Sequence, residues 1–352
     1  MKILVLNPGS TSTKVAVYSD KQEICKRTLA HTREELAKYP AIMDQLDFRY
    51  GLVMAFLEET GCSPDTLDCV MSRGGSPPGV MSGATVIDKN LVDALRFRPK
   101  EPHPASVGPI IAARIAEAAG IPAYIYDPIT ADELNPLARV FGVKGIDHDS
   151  MCHVLNSRAM AIATAKELGR QFTEMSFIVA HFGGGNSVSC WHKGLLHDVV
   201  PGDAGAFSAE RCGFIRGEKL LNLTKDYDYK TISGWFHGKG GMVSLLGTND
   251  LREVEKMVDD GHGQATLYMQ AMAYQLSRSI ASLLPTINGK ADGIVLTGGG
   301  AHWEKLTDEI KARLAFLNIP VFVRPGENEM QSLAEGAVRV MRGEETAHIY
   351  EG

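Results

Sequence analysis

The first forty residues begin with an alternation of apolar runs and small polar residues. Ile3–Leu6 is apolar, residues 7–13 read Asn-Pro-Gly-Ser-Thr-Ser-Thr, and Lys14–Tyr18 returns to apolar and β-branched side chains. Two short apolar segments joined by a turn of glycine, serine and asparagine are typical of a β-hairpin. The chain is therefore predicted to open with two antiparallel strands.

The same pattern recurs near the middle of the chain. Phe177–Ala180 is apolar, residues 181–187 read His-Phe-Gly-Gly-Gly-Asn-Ser, and Val188–Trp191 returns to apolar residues. The two hairpins start 174 positions apart, at Ile3 and Phe177, which is close to half of the 352 residues. Self-similarity at this distance predicts two halves built on one plan.

Other predicted strands lead directly into polar or glycine-rich residues. They are Leu67–Met71 before Ser72-Arg73-Gly74-Gly75, Pro122–Tyr126 before Asp127, and Asp292–Leu296 before residues 297–301. A helix over Ala105–Ala119 ends at Gly120, and another runs from the third strand to about Phe316. Strands that alternate with helices predict an α/β fold, whose ligands gather beyond the carboxyl ends of the strands.

Two more helices are predicted towards the end of the chain. Gln264–Leu284 is apolar on most faces and stops at Pro285, which indicates a buried helix. Apolar residues from Met330 to Met341 recur at helical spacing and form one stripe, which predicts a helix packed on a core and no chemistry. The proline-rich residues 96–109 and the glycine-rich residues 234–247 are predicted to be loops.

Composition argues against a nucleic-acid-binding, membrane-spanning or secreted protein. With 44% hydrophobic and 22% charged residues and a net charge of −6, the chain is an ordinary globular protein of about two domains. An acidic chain without a basic block is not expected to bind nucleic acid. The chain contains no run of about 18 apolar residues, so no membrane-spanning helix is predicted. The N-terminus lacks a secretory apolar core, and the six scattered cysteines indicate reduced thiols, so a cytoplasmic location is expected.

Three small-residue turns suggest that phosphate groups bind here. Residues 9–13, 183–187 and 297–301 each follow a predicted strand, and neither a Walker A motif nor a G-x-G-x-x-G fingerprint is present. Glycines let the backbone approach a ligand, and successive N–H groups and hydroxyls can hold phosphate oxygens.

Five charged or titratable residues near these turns allow two interpretations each. Lys14 faces either phosphates or solvent. Arg73 and Arg211 lie in glycine-flanked turns, and each is either a solvated charge or a rigid guanidinium that pairs with carboxylate or phosphate. Asp127 is either a turn residue or a magnesium ligand. His181 is either a structural histidine or a hydrogen-bond donor to a transferring phosphoryl group.

Taken together, the motifs resemble those of the acetate and butyrate kinase family, most closely its butyrate kinase branch, within the actin, heat-shock and hexokinase-like superfamily. The matching stretches occur in family order over nearly the whole chain. They are Asn7–Lys14, Arg73–Gly75, Asp127–Pro128, His181–Ser187, Gly202–Gly205, Glu210–Gly213, Leu296–Gly300 and Arg324–Met330.

The resemblance implies two RNase H-like domains with mixed sheets flanked by helices and a cleft between them. It implies an N-terminal domain of residues 1–148 for acid and phosphate, a nucleotide-binding domain of residues 149–330, and a C-terminal helix over about 331–352 that packs back on the first domain. It also implies a homodimer or higher homo-oligomer, MgATP as phosphoryl donor, and a short carboxylic acid as acceptor, which yields an acyl phosphate.

Site residues are carried over from the family's motifs position by position. Asn7, Ser10, Ser12 and Lys14 would face phosphates and magnesium, and Asp127 would anchor the magnesium ion. Arg73 and Arg211 would hold the carboxylate and the transferring phosphoryl group, which His181 would also contact. The remaining nucleotide-binding positions would be Gly183, Gly184, Gly185, Asn186, Gly298, Gly299 and Gly300.

Either Glu327 or Glu329 would reach the metal, and the resemblance does not choose between them. It also leaves open the roles of His148 and His153, the preferred acyl chain and the physiological direction. The expected reaction is reversible transfer from ATP to butyrate or a similar short or branched fatty acid, giving ADP and butyryl phosphate. The alternatives are an acetate or propionate kinase and a non-catalytic ATP-binding switch of the same superfamily.

Overall fold

The computed structural model describes all 352 residues, and the chain divides into two compact units. The first comprises Met1–Asp132 together with Asn328–Gly352, and the second comprises Glu133–Glu327. The resemblance implies boundaries after residue 148 and at residue 330, whereas these compact units divide after residues 132 and 327.

The elements of both units are defined as follows. The strands are β1 (Lys2–Pro8), β2 (Ser12–Ser19), β3 (Gln22–Ala30), β4 (Cys69–Arg73), β5 (Ala84–Val86), β6 (Ala123–Tyr126), β7 (Ser176–His181), β8 (Ser187–His192), β9 (Leu195–Val200), β10 (Gly293–Gly298) and β11 (Val321–Pro325). The α-helices are α1 (Arg33–Leu36), α2 (Leu46–Glu59), α3 (Lys89–Phe97), α4 (Val107–Ala119), α5 (Val154–Glu167), α6 (Gly217–Leu223), α7 (Tyr229–Phe236), α8 (Gly241–Leu246), α9 (Leu251–Asp259), α10 (Gly263–Leu283), α11 (Glu304–Leu314) and α12 (Glu329–Met341).

Each unit contains one mixed sheet, and the two sheets follow the same plan. The first has the order β3-β2-β1-β4-β6-β5, and the second has the order β9-β8-β7-β10-β11. In both, an antiparallel meander of three strands is continued by two strands parallel to the first. The half-length repeat predicted from the two hairpins is confirmed, and β5 is an addition to the first sheet.

The helices cover these sheets with apolar faces. In the first unit, α2 and α4 pack on one face through a core that includes Leu4, Val53 and Ile111. In the second unit, one face of α10 packs against β7 and β8, with Leu276 and Ile280 fully buried. Its other face is exposed, with Leu267 and Tyr274 both more than half exposed, so the expectation of a buried helix is wrong. The predicted helices at 105–119, 264–284 and 330–341 are confirmed, and Gly120 caps α4 with a left-handed φ of 67°.

Two predicted loops are wrong in part. Residues 234–247 contain the end of α7 and all of α8, because the glycines lie largely at the ends of these short helices and Gly247 supplies a left-handed cap with φ 81°. Within residues 96–109 the chain leaves α3 at Phe97 and enters α4 at Val107, with a short 3-10 turn at Pro104–Ser106. All six cysteines are free thiols, and the helices all lack the combined length and hydropathy that a membrane crossing requires.

Candidate active site

The first small-residue turn joins β1 to β2 and is shorter than predicted, because Ser12 and Thr13 already belong to β2. The N–H of Gly9 donates to the carbonyl of Ser12 at 2.7 Å, which closes the turn. Ser10 is exposed and Ser12 is half-buried. Lys14 is exposed near the start of β2, and its side chain makes no hydrogen bond or ion pair. The turn therefore presents hydroxyls and one unpaired ammonium at the carboxyl end of β1.

Three predicted residues come together beside that turn. Arg73 ends β4, the strand parallel to β1, so the expectation that it lies in a turn is wrong. Its Nη1 pairs with Oε1 of Glu329 at 2.7 Å and lies 3.4 Å from Oδ1 of Asn7, while Nδ2 of Asn7 donates to Oε2 of Glu329 at 2.7 Å. Burial, and next the Arg73 guanidinium, lower the pKa of His103, which favours its neutral form beside this ion pair.

Asp127 has a structural task in this conformation. It follows β6 with a left-handed φ of 43° and is buried. Its Oδ1 accepts from the N–H of Gly83 at 2.6 Å, and its own N–H donates to the carbonyl of Gly83 at 3.0 Å. This reciprocal pair fixes the segment before β5, as the turn interpretation expects, and the magnesium role of Asp127 stays a prediction.

The predicted metal ligands are divided between the two units. Asn7 and Glu329 meet in the first unit, Asp127 binds Gly83, and Glu327 belongs to the second unit. No three His, Cys, Asp or Glu side chains stand close enough to hold an ion by themselves. The oxygen donors suit Mg²⁺, which usually keeps several waters and binds through one or two carboxylates plus substrate phosphates. The donor set therefore fits magnesium delivered with a nucleotide.

His181 ends β7 and takes part in an ordered polar network. Nδ2 of Asn156 lies 3.0 Å from Nδ1 of His181 and 3.0 Å from Oγ1 of Thr297, which itself donates to the carbonyl of Gly326 at 3.4 Å. Since the Thr297 hydroxyl donates onward, it accepts from Asn156, and this orients the amide with its Nδ2 towards His181. The proton of His181 is then on Nε2, which lies 3.0 Å from Oε1 of Glu327.

The second and third turns pack against each other. Gly298 has a φ of 90°, and a Cβ there would overlap the carbonyl oxygen of Phe182, which accepts from the N–H of Gly300 at 2.9 Å. The N–H of Gly183 donates to Oδ1 of Asn186 at 3.1 Å, so this amide is occupied within the turn. Gly184 and Gly299 are exposed, and Gly185 is half-buried.

Arg211 lies across the second turn. Its Cζ would lie 3.1 Å from a Cβ at Gly185, so the missing side chain makes room for the guanidinium. Ser208 holds the backbone in place, since its N–H donates to the carbonyl of Arg211 at 2.9 Å and its hydroxyl accepts from the N–H of Arg211 at 3.0 Å. The half-buried Arg211 has no carboxylate partner, so its charge is available to an anionic ligand.

Of the side chains that surround His181, the sequence analysis left the role of His153 open and missed Asn156. The ring of His153 stacks on that of His181 with centroids 3.8 Å apart and an interplanar angle of 8°, and its Nδ1 lies 2.7 Å from the hydroxyl of Ser187. Asn156 stands one helical turn after His153, a spacing that could have signalled a shared face. His148 is elsewhere, with Nε2 3.4 Å from the carbonyl of Val199.

Comparison with known proteins places these features in a family. Residues 129–337, more than half of the chain, match the sequence profile of the acetokinase family. The chain belongs to the acetokinase family. As an acetokinase it is a transferase, a carboxylate kinase, and the family works with ATP or ADP and a divalent metal.

Solved structures agree with this acetokinase assignment in fold. The acetate kinase of Porphyromonas gingivalis superimposes with a TM-score of 0.80 at 19% identity, covering 98% of this chain and 100% of the other. A propionate kinase from Francisella tularensis subsp. tularensis gives 0.76 at 18% identity, with coverages of 95% and 98%. A ROK family protein from Streptococcus pneumoniae gives 0.54 at 10% identity, with coverages of 98% and 100%. The predicted fold of two mixed-sheet α/β domains is confirmed.

Proposed function

We propose that this acetokinase is a butyrate kinase, which transfers the terminal phosphoryl group of MgATP to butyrate or a similar short or branched fatty acid and releases ADP and butyryl phosphate, reversibly. The observation that carries the proposal is the half-buried Arg211, a cation without a carboxylate partner beside the glycine turn. The butyrate preference rests on the resemblance of Asn7–Lys14 and Arg324–Met330 to the butyrate kinase branch.

The chemistry requires cations and hydrogen-bond donors and no general base. A carboxylate is ionised at neutral pH, so its oxygen attacks the terminal phosphorus directly while the bond to the leaving oxygen of ADP breaks. Charge spreads over the equatorial phosphoryl oxygens during this in-line transfer. The protein must bring two anions together and stabilise that charge.

Roles within the second unit follow from the donors it presents. We assign Arg211 to the carboxylate and an equatorial phosphoryl oxygen, because its planar fork can contact both. The Nε2 proton of His181 is available to a phosphoryl oxygen once Glu327 turns away. The turns at 183–186 and 298–300 would hold the phosphates and line the adenosine pocket, which makes this unit the nucleotide-binding domain.

Roles within the first unit follow from its strand-end cluster. The hydroxyls of Ser10 and Ser12 and the ammonium of Lys14 would bind phosphate oxygens, and Arg73 would bind the acid. Asn7, Asp127 and Glu329 of this unit would hold Mg²⁺, which would supply positive charge to the phosphates, and Glu327 of the second unit is the alternative to Glu329. The protein is proposed to work in the cytoplasm as a homodimer.

The test is a hydroxylamine trap for acyl phosphate, run with ATP and Mg²⁺ across acetate, propionate, butyrate, isobutyrate and valerate. We expect trapped product with the highest kcat/KM for the four-carbon acids. Equal or better turnover of acetate or propionate would replace the butyrate proposal by the acetate or propionate kinase that the family equally supports. ATP hydrolysis without acyl phosphate from any acid would favour the non-catalytic switch.

A further inference from the structure

Arg49 is a fully buried cation without a carboxylate partner. It lies on the buried face of α2 with Val53, Phe56 and Leu57, where apolar residues would be expected. Its hydrogen-bond acceptors are all uncharged, and burial alone lowers its pKa to about 10. A buried charge is costly unless something compensates it, so this arginine needs an explanation.

The acceptors of Arg49 belong to the first phosphate turn and its supports. Nη1 donates to the hydroxyl of Thr13 at 2.9 Å and lies 3.3 Å from the carbonyl of Ser12, and Nη2 lies 3.5 Å from the carbonyl of Ser10. Nε donates to Oε1 of Gln45 at 3.0 Å, one turn earlier on the chain. The guanidinium therefore holds the turn from its buried side.

The contact between Arg49 and the carbonyl of Ser10 determines where the N–H of Thr11 points. In a trans peptide the C=O and the following N–H point in opposite directions. With the carbonyl of Ser10 drawn inwards to Arg49, the N–H of Thr11 points outwards, and it has no backbone acceptor. Ser10 and Thr11 are both exposed, so the outward face of the turn presents donors to solvent.

We propose that Arg49 is a positioning residue for anion binding at residues 9–13: its buried guanidinium fixes the outward N–H of Thr11 and places a positive charge behind the phosphate group that the turn binds. The inference rests on the proposed function only in taking this turn as a phosphate site. The ligand chemistry is a nucleotide's phosphate oxygens. A bound anion would offset the buried charge of Arg49, and relief of the free-energy cost of burying that charge would strengthen binding of the anion.

The test compares Arg49→Met, Arg49→Lys and the control Arg114→Met in the full chain. Arg114 is an exposed arginine of α4 that contacts α2, the helix of Arg49, away from the turn. Its guanidinium lies over the ring of Tyr50 and pairs with Asp47 at 2.8 Å. The affinities for AMP-PNP with Mg²⁺ and for adenosine are measured by calorimetry, and the melting temperature is measured without ligand.

We expect Arg49→Met to weaken AMP-PNP binding roughly 10- to 100-fold, the loss typical of a hydrogen-bonded charge. Adenosine affinity should stay unchanged, and the ligand-free melting temperature should not fall. Arg49→Lys, which keeps the charge and loses the fork, should weaken AMP-PNP binding by a smaller factor. Arg114→Met should bind both ligands as the parent protein does.

Several results would overturn the inference. They are normal AMP-PNP affinity in Arg49→Met, equal losses for AMP-PNP and adenosine, or an unfolded Met variant together with a Lys variant of normal affinity. A parent protein that binds AMP-PNP in an Arg49-dependent way but forms no acyl phosphate would end the kinase proposal and keep this one. Acyl phosphate formation by a protein whose AMP-PNP affinity does not depend on Arg49 would keep the kinase proposal and end the inference about Arg49.

Discussion

Two arginines without carboxylate partners lie beside turns that are proposed to bind anions, one in each unit. Arg211 is half-buried beside Gly185, and Arg49 is fully buried behind the turn after β1. By contrast, Arg73 is held by Glu329, and its proposed role would require it to exchange that partner for a substrate anion. Unpaired guanidinium groups in rigid surroundings are suited to anions, because neither a rearrangement nor a competing carboxylate has to be overcome.

Arg211→Ala is predicted to lower turnover by roughly 10³- to 10⁵-fold, by analogy with an arginine finger, since the cation acts on charge that develops in the transition state. Affinity for MgATP should remain nearly intact, because the glycine turns stay unchanged. Arg211→Lys should recover only a small part, since an ammonium lacks the planar fork.

The matched control for Arg211 is Arg216→Ala, which removes an exposed arginine of the same loop that pairs with Glu218. Turnover, nucleotide affinity and melting temperature are measured on each preparation. A folded, ATP-binding and fully active Arg211→Ala protein would end the assignment, and parallel losses of stability and affinity would make Arg211 structural.

Stability is predicted to fall as the pH is lowered through the range below about 6.5, the ordinary pKa of histidine. Burial, and next the charge of Arg49, lower the pKa of His31, whose Nε2 lies 2.9 Å from the hydroxyl of Thr13. The unfolded chain then binds more protons than the folded one between the two pKa values, so stability is present above that range and is lost below it.

Urea unfolding at pH 7.5 and 5.5 measures this effect of His31. The loss of unfolding free energy should shrink in His31→Gln and persist in His237→Gln, which alters an exposed histidine. Part of the loss of unfolding free energy should remain in His31→Gln, because burial also lowers the pKa values of His103 and His192. An unchanged loss in His31→Gln would contradict the prediction.

Elements with a strong hydrophobic pattern could be predicted from the sequence, and polar or short ones could not. The hairpins β1–β2 and β7–β8 and the helices α4, α10 and α12 carry clear periodicity or caps. Strand β3 is an edge strand whose nine residues are all exposed or half-exposed, so it has no apolar signal. Helix α2 went unrecognised, and the arginine on its apolar stripe was missed with it.

Site residues could be named one by one, but their association could not be predicted. Asn7 and Glu329 share a hydrogen bond although 322 positions separate them, and no local pattern encodes that pairing. The stack of His153 on His181 likewise depends on how α5 packs against β7. A resemblance supplies candidate positions, whereas these contacts come from tertiary packing.

Gly298→Ala is predicted to destabilise the protein by roughly 1–3 kcal/mol or more, the cost of a strained left-handed residue with an added clash. The end of β10 has a φ of 90° there, and a Cβ would overlap the carbonyl oxygen of Phe182. Gly299→Ala is the matched control, since its φ is ordinary and no atom lies within 4 Å of a Cβ. Melting temperatures compare the two, and equal values would refute the role of Gly298.

The first unit is assembled from two distant parts of the chain, and the second is continuous. Residues 328–352 contribute α12, whose buried face includes Met330, Leu333 and Val338 and packs on β1 and β4. The segment after it is tied to the same sheet, since the hydroxyl of Tyr126 donates to Oε2 of Glu345 at 2.7 Å. Residues 133–327 hold their own core, which extends from β7 and β8 to α10 and α11.

A fragment of residues 133–327 is therefore predicted to fold alone, whereas a fragment of residues 1–132 is not. Burial of the three large apolar side chains of α12 contributes roughly 5–9 kcal/mol, close to the whole stability of a typical domain. The first unit without α12 would lose that contribution and expose one face of its sheet. Cooperative thermal unfolding, followed by circular dichroism, distinguishes the fragments. Adding a peptide of residues 328–352 to the 1–132 fragment should restore a cooperative transition, and a 1–132 fragment that unfolds cooperatively without the peptide would show that α12 is dispensable.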